Sequence, residues 1–77
     1  MTLGETLLLA RRRIGLSQTV LAQKMGVSVA FLSAIERDRK SLPAARLALL
    51  PSELRAAVTE AMVAQKEAEI AELRTAQ

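Results

Sequence analysis

The chain has no cysteine, histidine, tryptophan or tyrosine, and its only aromatic residue is Phe31. Without cysteine there are no disulfides, and without cysteine or histidine the usual zinc ligand sets are excluded. The same gaps remove the commonest nucleophiles and general bases. The carboxylates form no catalytic pair, and no glycine-rich phosphate loop is present, so the sequence predicts a protein that is not an enzyme and has no cofactor, no metal site and no small-molecule ligand. No apolar run approaches the ~20 residues of a membrane span, and the N-terminus lacks a basic-then-apolar leader. The expectation is a cytoplasmic protein with no membrane role. Glycine and proline are also scarce, at three and two residues.

What remains is largely alanine and aliphatic side chains, with 51% of residues hydrophobic. That composition favours helices over strands, where aromatic and β-branched residues concentrate. The expected fold is all-α, a compact bundle of about five helices. At 77 residues the chain is a single domain that buries only about 60–65% of its unfolded surface. With no disulfide or metal to help, association with another subunit is the remaining source of stability. The net charge of +3 is uneven: residues 1–50 carry eight basic and three acidic side chains, residues 51–77 three basic and five acidic. A basic first part suggests contact with a polyanion, and a mildly acidic tail a separate task.

Thr2-Leu-Gly-Glu5 has the form of a capping box, with Glu5 reaching back to the cap. It opens a first helix over about Leu3–Arg13, which Gly15 ends. Ser17 caps a second helix, Gln18 to Met25, closed by Gly26, and Ser28 caps a third, Val29 to Arg37. A polar connector, Asp38-Arg-Lys-Ser41, leads to a short fourth helix over about Leu42–Leu49 with Pro43 in its first turn. Pro51 breaks the chain, and a fifth helix runs from Pro51 or Ser52 to about Thr75. The centre of the pattern is the segment from Gln18 to Ile35. Ala22 is small where two short helices must approach, and Gly26 makes the tight turn. Leu21, Met25, Val27, Leu32 and Ile35 form the apolar face, with Phe31 at its edge. The opposite face of the third helix carries Val29, Ala30, Ser33, Ala34 and Arg37. A helix so presented fits a DNA major groove about 12 Å wide.

Leu16-Ser-Gln18, Leu21-Ala22, Met25-Gly-Val-Ser28 and Leu32-Ser-Ala-Ile-Glu-Arg37 resemble the lambda-repressor-like helix-turn-helix family, which includes phage repressors and Cro proteins, restriction-modification controllers and some antitoxins. The resemblance covers about residues 3–50. It implies that the third helix is a recognition helix and that the chain binds near-palindromic operators as a homodimer. Position by position it implies that Gln18 contacts phosphate or braces the recognition helix. Ser28, Val29, Ala30, Ser33 and Ala34 would face bases, and Arg37, Arg39 and Lys40 would approach the backbone. It also implies that Arg11 and Glu36 form an ion pair between the first and third helices. Asp38 stands where the family often has glycine, at a position asking for left-handed φ. The base-facing set contains no Gln or Asn, so bidentate readout is scarce.

Ala57, Ala61, Ala64, Ala68 and Ala71 recur at 4-3-4-3 spacing with Leu54 leading in. This stripe of small residues permits close helix approach, and Leu54, Ala57, Ala61, Ala64 and Ala68 are the expected dimer seam. Met62, Ile70 and Leu73 fall elsewhere around the helix. Residues 1–50 are thus expected to form the DNA-binding core and residues 51–77 a dimerisation helix of the same domain. The function expected is sequence-specific operator binding by a homodimeric autoregulator, a repressor or an activator, of a phage, plasmid or integrative element. The alternatives are an antitoxin that binds a toxin as well as DNA, and a protein-interaction module with no DNA role.

Overall fold

The computed structural model describes residues 1–75, which form five helices: α1 (Leu3–Arg13), α2 (Gln18–Met25), α3 (Val29–Glu36), α4 (Ala44–Leu47) and α5 (Ser52–Thr75). No strand is present among the described residues, so the chain is all-α as expected. Residues 76–77 of the expected tail lie outside the described residues. The three hydroxyl caps act as read from the sequence. Thr2 accepts from the Glu5 amide at 3.1 Å, Ser17 from Val20 at 3.1 Å and Ser28 from Phe31 at 3.0 Å. The Glu5 carboxylate does not reach back to the cap's backbone. It stands 3.2 Å from the Thr2 hydroxyl, whose single proton it shares with the closer Asp38 carboxylate.

Helices α1, α2 and α3 end in one way. A residue in the left-handed region follows each: Gly15 at φ 71°, Gly26 at φ 69° and Asp38 at φ 62°. Two amides then reach back at each end. Leu16 donates to Arg11 and Gly15 to Arg12, Val27 to Ala22 and Gly26 to Gln23, Arg39 to Ala34 and Asp38 to Ile35, over 2.8–3.2 Å. The last-turn carbonyls are thereby satisfied and the chain is turned sharply. Asp38 does here what glycine does at the other two ends.

Helix α4 is shorter than expected. It spans only Ala44–Leu47, with Pro43 outside it as the extended residue before the first turn. Arg46 on this helix donates to the Met25 carbonyl at 3.3 Å and so braces the end of α2.

The core is built from Leu7, Leu21, Ala22, Met25, Leu32, Ile35, Leu50, Leu54 and Val58, with Val27 and Phe31 partly buried against it. Phe31 therefore packs with the core. Leu54 corrects an expectation: placed at the head of the dimer seam, it is fully buried in its own chain, because it and Val58, one turn on, face α1. Ala57 and Ala61 are half-buried, whereas Ala64 and Ala68 are exposed. Every residue from Met62 to Arg74 is exposed, and past Gln65 α5 leaves the bundle. The molecule measures 46 × 22 × 20 Å, its long dimension reflecting this projecting helix, about 36 Å from end to end.

Helix α1 crosses α3 at Gly4, where a Cβ would stand 2.4 Å from the Ile35 carbonyl oxygen and 2.8 Å from that of Glu36. Glycine inside a helix costs up to about 1 kcal/mol relative to alanine, and here it permits contact between backbones. Gly4→Ala is expected to destabilise the fold by about 1–3 kcal/mol through overpacking, read as a lower urea midpoint. A midpoint equal to or above that of the parent chain would show that the crossing is looser than this.

Candidate nucleic-acid interface

The expected recognition helix is held by a buried charge. The Arg11 guanidinium, on the last turn of α1, donates from Nε to Glu36 Oε2 at 2.7 Å, from Nη2 to Oε1 at 3.3 Å and from Nη1 to the Leu16 carbonyl at 2.9 Å. Glu36 ends α3, and both side chains are more than nine-tenths buried. Gln18, the first residue of α2, donates from Nε2 to Glu36 Oε1 at 2.8 Å. One carboxylate thus ties α1, α2 and α3 together. No buried side-chain nitrogen or oxygen among the described residues lacks a partner, which is the condition for a buried ion pair to be tolerated. Of the two roles expected for Gln18, bracing the recognition helix is the one its amide performs in this structure.

With α3 anchored on one side by Leu32, Ile35 and Glu36, its other side is free. Ser28, Val29 and Ala30 are exposed, and Ser33 and Ala34 are half-exposed. These five expected base-facing residues occupy the first turn of α3 and the face continuing from it. The Ser28 hydroxyl also caps the helix. Arg37, Arg39 and Lys40 are all exposed at the carboxyl end of α3. An open notch lies where the ends of α1 and α3 meet the start of α2, lined by Leu8, Arg12, Ser17, Gln18, Thr19, Ser33 and Arg37 and by the paired Arg11 and Glu36. Amides at a helix start and guanidinium groups beside them suit an anion.

The acidic residues of this region are engaged within the chain, Glu36 buried and Asp38 exposed but hydrogen-bonded. Glu36 is paired with Arg11. The Asp38 carboxylate accepts from the Gly4 amide at 3.1 Å and from the Thr2 hydroxyl, so it caps the start of α1. The side chain that replaces the family's glycine is therefore engaged with the amino end of a helix, where negative charge is favoured. Reading the sequence alone missed this interlock, as it missed Gly4 and Arg46. A glycine in the second position of a helix was the available signal. The other two contacts join segments far apart in the chain and leave no local trace. Two further features bear on function. No helix among the described residues is long and apolar enough to cross a membrane. No group of three or more acidic side chains there could hold a metal ion.

A protein-family model described as helix-turn-helix matches residues 7–60 of the chain. No curated protein and no solved structure matches it.

Removing one member of a buried pair strands the other. Glu36→Ala is expected to cost about 3–5 kcal/mol, a large part of the stability of a domain this small. Replacing both, as Arg11→Met with Glu36→Leu, should cost much less than the single change. Chemical denaturation of the two single variants and the double variant tests this, and additive losses would show that the pair is not coupled.

Proposed function

The chain belongs to the lambda-repressor-like helix-turn-helix family of DNA-binding regulators, and on that premise we propose that it binds an inverted-repeat operator as a homodimer and controls its own gene, as a repressor that occludes the promoter. The observation that carries this reading is the free face of α3. It stands clear of the core beside exposed arginine and lysine, while both nearby carboxylates are engaged elsewhere.

In this reading residues 1–50 are the DNA-binding core and α5 joins the two copies. Val29 and Ala30 contact thymine methyl groups in the major groove, and Ser33 makes an adaptable hydrogen bond to a base edge. Ser28 and Ala34 border the bases. Arg37 is the one side chain of this face able to make a bidentate contact with guanine. Arg39 and Lys40 neutralise phosphates from the loop after α3. Gln18 acts as a brace, holding Glu36 with its amide nitrogen. With so few directional base contacts, much of the specificity comes from DNA shape. A two-fold dimer places its recognition helices about 34 Å apart, one turn of DNA. A regulator of this kind suits a phage, plasmid or integrative element.

Footprinting of the purified protein on DNA upstream of its own gene, at near-physiological salt, tests the function. Two protected half-sites one turn apart are expected. Salt-sensitive binding without a defined site would favour a toxin as the true partner, and no affinity for any duplex at low salt would leave a protein-interaction module. Arg39→Ala and Lys40→Ala should each lower the slope of log affinity against log salt by about 2, one phosphate contact being lost in each copy of the dimer, and weaken all sequences alike. Val29→Gly and Ala30→Gly should relax base preference at the positions they face. Retention of full preference in a selection from randomised sites would remove them from the readout.

A further inference from the structure

The structure divides α5 into two faces with different surroundings. The alanine stripe lies on the side toward the chain's own bundle, where Ala57 and Ala61 are already half-covered. Ala61 and Ala64 line a groove with Leu3 and Leu7 of α1. Roughly 170° around the helix, at 100° per residue, lies a second stripe. Ala56, Thr59, Val63, Lys66, Ile70 and Leu73 recur at alternating spacings of three and four, and all of them are exposed. Val63 is 52% exposed, Ile70 48% and Leu73 68%, with Met62 beside them at 41%. These large apolar side chains face away from the bundle, and beyond Gln65 the helix has no bundle beneath it; helical stretches of this length are marginal in water without packing.

We propose that two copies of this chain pair along that outer face as a parallel, in-register coiled coil. The proposal rests on the homodimer reading above and replaces the alanine stripe as its seam. Val63 and Ile70 take the a positions and Leu73 a d position, the pattern that suits two parallel strands. The flanking charges select the same orientation. In a parallel pair Arg55 of one copy faces Glu60 of the second, and Glu69 faces Arg74, each pairing occurring twice. In an antiparallel pair Glu67 meets Glu67 and Glu69 meets Glu69. The flanking residues Arg55, Glu60, Glu67, Glu69 and Arg74 are all exposed. Lys66 at a d position meets its own copy. It fixes the register at a cost in affinity, which makes the dimer weak and responsive to protein concentration. Because α1 packs on the opposite side of α5, the two bundles lie on the outer flanks of the seam and at the same end of it. That is the arrangement two half-sites of an inverted repeat require.

The test is sedimentation of the full chain over a range of concentrations, with circular dichroism to confirm that each variant is folded. Ile70→Asp is expected to weaken self-association by at least about tenfold, and Lys66→Leu to tighten it by about the same factor. Ala68→Glu, on the alanine stripe, should leave it unchanged. Loss of association in Ala68→Glu with no effect of Ile70→Asp would overturn the proposed face while leaving the homodimer intact. Since the chain has no cysteine, orientation is read from single introduced thiols. Ile70→Cys should cross-link to itself under mild oxidation. Failure to do so, with cross-linking only in a mixture of Ile70→Cys and Lys66→Cys chains, would overturn the parallel arrangement. Two protected half-sites bound by a chain that stays monomeric in solution, even with Lys66→Leu, would overturn the coiled coil and keep the homodimer on DNA. A single protected half-site would remove the homodimer itself.

Discussion

Everything that positions α3 depends on one carboxylate. Glu36 receives Arg11 from α1 and Gln18 from α2, and no other polar cluster among the described hydrogen bonds joins three helices. Hydrophobic contact alone is non-directional. Leu7, Leu21, Leu32 and Ile35 would hold the helices together, but they would not fix the rotation of α3 about its axis as closely. A bidentate guanidinium with fixed fork geometry does so. The register matters because the exposed residues Val29, Ala30 and Ser33 follow from which face Glu36 turns inward. The network thus converts a packing preference into a defined presentation of one helix face.

Asp38 shows how a departure from a family pattern can be absorbed. Its left-handed backbone is less comfortable for aspartate than for glycine. That cost is offset because the side chain caps α1 through Gly4 and Thr2. The interlock and the close crossing at Gly4 lie together, so the start of α1, the end of α3 and the following loop behave as one junction. Its electrostatic result favours the surface beside it: the exposed carboxylate is held at a helix start, and the exposed Arg37, Arg39 and Lys40 outnumber it.

Helix α5 has two regimes. Its first turns belong to the core through Leu54 and Val58, and they make the basic part of the chain into a folded unit. Its later turns carry their apolar residues where the chain itself cannot cover them. The alanine periodicity spans both regimes, with Ala57 and Ala61 half-buried and Ala64 and Ala68 exposed. Small residues mark close approach without saying to what, and in this chain the inner alanines approach the chain's own α1.

The sequence by itself determined the helices, their caps and the family. Cap residues, glycine stops and 3.6-residue periodicity act over a few positions, so Ser17, Ser28, Gly15 and Gly26 could be read directly, and α1, α2 and α5 fall where the pattern put them. The ends of α3 and α4 were less legible, because a single turn gains or loses its place through packing. The Arg11–Glu36 pair was legible only through resemblance to other chains, since nothing local links residues 25 apart. Tertiary structure alone decided that Leu54 is core, that Asp38 caps α1, that Arg46 braces α2 and which face of α5 remains uncovered. The physical reason is common to all four. Each depends on which surfaces meet in space, and periodicity specifies that a face is apolar or small without specifying its partner.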